Sequence, residues 1–280
     1  MLNVKPVIVT DLFPAERKSL LDLLQNLTND QWFSNTICAG WSVKDIVQHL
    51  FKDDIGILSR KRDKFRIPSS STKEFKSNKK FVDYINAKNQ EWVEISKSFS
   101  PQILLDLLDL TGKLTYDYWK TVDQYSVEAS ISWVSSDEKL PNWVDIAREY
   151  TERWLHQSHI REAVKASLLY ETTLFNPFIR AYMLALPLSY KLVETRAGNV
   201  IRIVVEGNAG GVWSLKRNQN EWELYDKELE NPVAEITINQ DIIWRLFSKG
   251  LQSEKARESI KIIGDKDLGE AFFNTVSLIA

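Results

Sequence analysis

The hydrophobic period of this chain changes once. Up to about Leu168 apolar residues recur at intervals of three and four, and from Pro187 onward they alternate with polar ones. The first pattern coats one face of a helix and the second one face of a strand. The expected architecture is therefore an all-α N-terminal domain followed by an α+β C-terminal domain with a mostly antiparallel sheet. The join falls between Leu169 and Pro187, which gives residues 1–172 and 173–280 as the two domains. A length of 280 residues accommodates both.

In the first part, Pro14 opens a helix with Leu20, Leu21, Leu23, Leu24 and Leu27 as its stripe. Thr28 with Gln31 three residues on has the form of a capping box. Ser42, after Gly40-Trp41, is a second N-cap, and Val43, Ile46, Val47, Leu50, Ile57 and Leu58 form the apolar face that follows. Further helical stripes are Ile85, Trp92, Val93 and Ile95, then Ile103, Leu104, Leu107 and Leu108 after Ser100-Pro101. Asp109 to Asn142 reads as strand or loop, with a loop over Ser135–Glu138. A last helix then runs from Pro141 to about Leu168. Four principal helices with one long connection suggest a four-helix bundle.

The second part offers Val200–Val205, Trp213 and Leu215, Trp222 and Leu224 across a turn at Asn218–Asn220, and Ala234, Ile236 and Ile238 as strands. Helical pieces are expected over Gln240–Ser248 and Ser253–Ile262, then from Gly264-Asp265 to the end.

Composition excludes several functions. With 36 basic against 38 acidic residues the net charge is -2, so the whole chain has no electrostatic pull toward nucleic acid or anionic membrane. The stretch Arg60–Lys80 carries nine basic residues around Pro68 and a serine run, but few aromatics interleave; it reads as a solvated helix end and loop or as a polyanion patch. A single cysteine, Cys38, rules out an internal disulfide and any CxxC motif, and its thiol reads as a packed small hydrophobe. No signal-peptide pattern or membrane-length apolar run is present. A cytoplasmic monomer acting on a small molecule is the expectation.

Two of the three histidines lie in one helical stretch, Tyr150–Val164. At 100° per residue, Glu152, His156 and His159 fall within an arc of about 60°, so the stretch offers a carboxylate and an imidazole one turn apart to one metal ion. The same pattern also describes a solvated face: Asp145, Arg148 and Glu149 share that side, with Trp143, Ile146, Tyr150 and Trp154 opposite. The third histidine, His49, lies off the apolar stripe of its helix with Asp45 and Asp53 one turn to either side. Those carboxylates either orient the imidazole or are solvated neighbours.

The run Cys38-Ala-Gly-Trp-Ser-Val leading to His49-Leu50, and the Glu152/His156 pair leading to Ile160-Arg161, resemble the mycothiol-dependent maleylpyruvate isomerase family of DinB-like metal-binding bundles. The resemblance implies that His49, Glu152 and His156 are metal ligands. It also implies a C-terminal domain similar to sterol-carrier-protein-2 folds, seen in Ala234–Ile238, Lys249-Gly250 and Ile262–Asp265. His159 stands where the family usually has aspartate. It is a candidate catalytic base, a hydrogen-bond partner of the thiol, a fourth ligand, or a surface residue.

Two imidazoles and a carboxylate suit a divalent ion, Zn²⁺ foremost, with positions left open. The family chemistry would be thiol-dependent isomerisation or S-transfer on a small electrophile. The Lys-, Asn- and Ile-rich composition differs from that of mycothiol producers, so bacillithiol and glutathione stand beside mycothiol as the thiol. The alternative is a non-catalytic binding protein using an apolar cavity of the C-terminal domain, with a structural or vestigial metal site.

Overall fold

The computed structural model describes residues 2–66, 78–130, 134 and 139–275. They cluster into two compact units, one helical (Val9–Asp123 and Glu152–Leu169) and one built on a sheet (Met1–Ile8, Gln124–Thr151 and Tyr170–Ala280).

In the helical unit, α1 (Phe13–Leu24) has Pro14 in its first turn, where a missing N–H costs nothing. Thr28 caps the short α2 (Asn29–Trp32): its hydroxyl accepts from the Gln31 N–H at 3.3 Å, while the Gln31 side chain accepts from the Thr28 N–H at 2.9 Å. Ser42 and Asp45 make the same reciprocal cap on α3 (Val43–Ile57), which runs into a π-helical turn, Leu58–Arg62. Then come α4 (Asn78–Ser96), α5 (Pro101–Thr121), capped by Ser100, and α6 (Asn142–Ala163), whose second half belongs to this unit. Helix α5 packs against both α1 and α3, and α3 packs against α4. Leu20, Leu24, Ile46, Val47, Leu50, Leu104, Leu108 and Ile160 form one core.

Helix α5 corrects one expectation. The segment after Asp109, read as strand or loop, continues the helix to Thr121, with Leu104, Leu108, Thr111, Thr115 and Trp119 on its buried face. Two of those positions are threonine, which broke the apolar stripe. The Thr111 hydroxyl donates to Asp54 at 2.7 Å, so the position is buried because it has a partner. Ile95 and Ile103, assigned to stripes, are exposed at 68% and 48%.

The second half of α6 is buried on nearly every side, so its polar residues need partners. Arg153 donates to Asp54 at 2.8 Å, and Arg17 donates to both oxygens of the same carboxylate at 3.2 and 2.9 Å. Gln157 donates to the Glu16 carboxylate at 2.6 Å, and Arg161 donates to the Gln157 amide oxygen and the Ser19 hydroxyl. These ties fix the rotation of α6 about its axis.

In the sheet unit, β1 (Leu2–Asn3) pairs in parallel with a later strand, and β2 (Val127–Ser130) pairs with β3 (Lys139–Pro141) as a separate two-stranded ladder. Then follow α7 (Thr172–Met183), α8 (Leu186–Ser189), β4 (Val200–Glu206), β5 (Gly211–Arg217), β6 (Trp222–Tyr225), β7 (Ala234–Asn239), α9 (Gln240–Phe247), α10 (Ser253–Arg257), β8 (Ile260–Gly264) and α11 (Lys266–Glu270). The six-stranded sheet has the order β1-β6-β5-β4-β7-β8, antiparallel except at β1–β6 and β4–β7. Register places Ile203 beside Trp213 and Ile236, and Leu215 beside Ile201 and Leu224, so one face is continuously apolar.

Two elements here depart from expectation. Ile260–Gly264, whose first three residues read as the end of a helix, is the edge strand β8, held by pairing with β7. Helix α7 was not expected at all: an internal Pro177 speaks against a helix, yet Phe175, Phe178, Ile179 and Tyr182 recur at helical spacing and are fully buried. The loop expected over Ser135–Glu138, part of the basic stretch (67–77) and the end of the final helix (276–280) lie outside the described residues. Among the described residues, no helix is long and apolar enough to cross a membrane.

Candidate metal centre

Helices α3 and α6 carry the three histidines. The cap at Ser42 sets the start of α3 and consumes Asp45, which accepts from the Ser42 N–H at 2.8 Å and its hydroxyl at 2.7 Å. Of the two carboxylates that read as orienting His49 or as solvated neighbours, Asp53 has an oxygen 3.2 Å from Nε2. The His49 ring is buried between Trp41, with centroids 5.4 Å apart, and His156, at 4.6 Å and edge-on.

On α6, His156 Nε2 lies 3.5 Å from a Glu152 oxygen. One ligand atom from each of His49, Glu152 and His156 falls within 4.8 Å of the other two. On the face that also read as solvated, Glu152 and His156 are half-buried. His159 is buried one turn on, its ring 5.5 Å from that of His156 and its Nδ1 3.3 Å from Cys38 Sγ.

Cys38 is the residue that sequence reasoning left out of the site. Cys38, His156 and His159 also place one ligand atom each within 4.8 Å of one another, and His156 belongs to both groups. The available signal was its place at the head of the Cys-x-Gly-Trp run.

The donor set fits a metal ion. Among the described residues, Nδ1 of His49 and Nδ1 of His156 are buried without a hydrogen-bond partner, which is costly for a polar nitrogen. Burial, together with the neighbouring His156, pushes the His49 pKa well below 6.5. Burial opposes a charge on His156 as well, but Cys38 and Glu152 outweigh it and hold its pKa up to about 10.

Residues 13–161, more than half of the chain, match the family model described as the mycothiol maleylpyruvate isomerase N-terminal domain. The chain belongs to this family. A crystal structure of a histidine-to-alanine variant of the mycothiol-dependent maleylpyruvate isomerase is similar in fold, with a TM-score of 0.53 at 10% identity over 90% of each chain. A second crystal structure, of the mycothiol-dependent maleylpyruvate isomerase itself, gives 0.49 at 9% identity, covering 85% of this chain and 86% of that one. The sterol carrier protein domain 2 of Helicoverpa armigera gives 0.28 at 22% identity over 35% of this chain and 82% of its own. No curated protein matches the sequence.

Proposed function

We propose that the chain is a metal- and thiol-dependent enzyme that isomerises a small electrophilic substrate or transfers a thiol to it. The observation that carries this reading is the convergence of His49, Glu152 and His156, with a buried, unbonded nitrogen on each histidine. Membership of a family named for a mycothiol-dependent isomerase supports it further.

Two imidazoles and one carboxylate would hold a divalent ion, with Zn²⁺ the best match to the donor set. Such an ion supplies Lewis acidity that lowers the pKa of a thiol bound to it. Glu152 contributes negative charge against that of the ion. Asp53 orients the His49 imidazole, and Trp41 covers one side of that ring. His159 would accept a proton from an entering thiol; its Nδ1 already meets the Cys38 sulfur.

The test is turnover of maleylpyruvate to its trans isomer with mycothiol, bacillithiol or glutathione, before and after chelation. Turnover that needs both a thiol and a metal, and disappears in a folded His49→Ala variant, is expected. Turnover without any thiol, or undiminished in that variant, would overturn the reading.

A further inference from the structure

The two ligand groups at the centre share His156, and one of them contains the protein's own thiol. We infer that Cys38 is a sulfur ligand to the ion bound through His156, closing a coordination position until an external thiol displaces it. The inference rests on the metal reading above and adds to it a protein residue in the position an incoming thiol would take. Binding releases the Cys38 thiol proton to solvent, and displacement by another thiol returns one.

The loop that carries Cys38 is held in place. Gly40 adopts φ 79°, a conformation that suits glycine, in a turn closed by the Trp41 N–H donating to the Cys38 carbonyl at 2.9 Å. The Thr36 N–H and hydroxyl both donate to the Trp41 carbonyl, at 3.0 and 2.8 Å, and the Cys38 N–H donates to the Thr36 hydroxyl at 3.2 Å. The Val43 N–H donates to the Ser34 carbonyl at 3.0 Å, tying the loop to the start of α3. The sulfur is thus delivered by a fixed turn rather than a free tip.

A second observation points to a ligand beside the shared histidine. His49, 7% exposed, rests against His156 and has an unbonded Nδ1, as does His156. Thiolate and imidazole donors together favour Zn²⁺ over the oxygen-seeking Mg²⁺ and Ca²⁺. Cys38 is half-buried, so an external thiol can reach the ion and compete with it.

The experiment titrates metal-free full-length protein with Co²⁺ and records its absorption. A near-ultraviolet thiolate-to-cobalt band is expected in the native chain and lost in Cys38→Ser, while the visible ligand-field bands persist in that variant and show that its fold and remaining ligands survive. In parallel, Zn²⁺ should slow alkylation of Cys38 by iodoacetamide. Ligand-field bands without the thiolate band in the native chain, or alkylation unaffected by bound Zn²⁺, would overturn the role of Cys38 and leave the metal reading standing. Failure to bind Co²⁺ at all would remove both.

Discussion

The imidazoles of His49 and His156 meet edge-on with centroids 4.6 Å apart, and Nδ1 of each is buried without a partner. Two such nitrogens in one place are hard to explain as packing alone. An ion held by His49, Glu152 and His156 would account for their convergence.

Asp53 lies 3.2 Å from His49 Nε2 and fixes the ring that presents the ligand atom. Asp53→Asn should weaken metal affinity by about 10- to 100-fold while leaving the stoichiometry at saturation unchanged. Calorimetric titration with Zn²⁺ measures both; an unchanged affinity would count against this role.

Asp54 is fully buried between Arg17 and Arg153. Burial alone would raise its pKa, but the two guanidinium groups and Thr111 outweigh that and hold it below 3.8. Its stabilising effect is therefore complete above 3.8 and is lost as pH falls through the lower folded-state value. Asp54→Asn should destabilise the helical unit by about 3–5 kcal/mol at neutral pH, since two buried cations lose their counter-charge. Urea unfolding checks the magnitude, and the gap between native and variant should shrink only below 3.8.

Glu16 behaves in the opposite sense. Burial raises its pKa above 4.5, with Arg17, Arg153 and Gln157 offsetting only part of the effect. The folded state favours its protonated form, so stability falls as pH rises from 4.5 through the higher folded-state pKa. Glu16→Gln should gain stability relative to the native chain as pH rises from acid to neutral. A relative loss over that range, measured by urea unfolding at each pH, would contradict this assignment.

Local signals were the most legible. The caps at Thr28 and Ser42 depend on residues three apart and could be read directly from the chain. The polar face of α6 could not, because Asp54 and Glu16, which partner it, lie on other helices. The same long-range dependence hid the extension of α5 through Thr111 and the pairing of β8. At the centre, spacing and family resemblance together picked out His49, Glu152 and His156, which the structure brings together. Cys38 was missed because only the turn at Gly40 places its sulfur beside His159.

Gly264 ends β8 with φ 87°, and a Cβ there would lie 2.2 Å from the Val233 carbonyl oxygen. Gly264→Ala should cost about 1–3 kcal/mol from backbone strain and this contact. Chemical unfolding of the variant followed by circular dichroism checks it, and a native-like midpoint would show that the β7–β8 edge can shift to make room.

The most direct test is metal content by plasma mass spectrometry on protein purified without an affinity tag, beside His49→Ala and Glu152→Ala. Close to one divalent ion per native chain, lost in both folded variants, is the predicted result. A native chain that holds no ion even after incubation with Zn²⁺ would contradict the account.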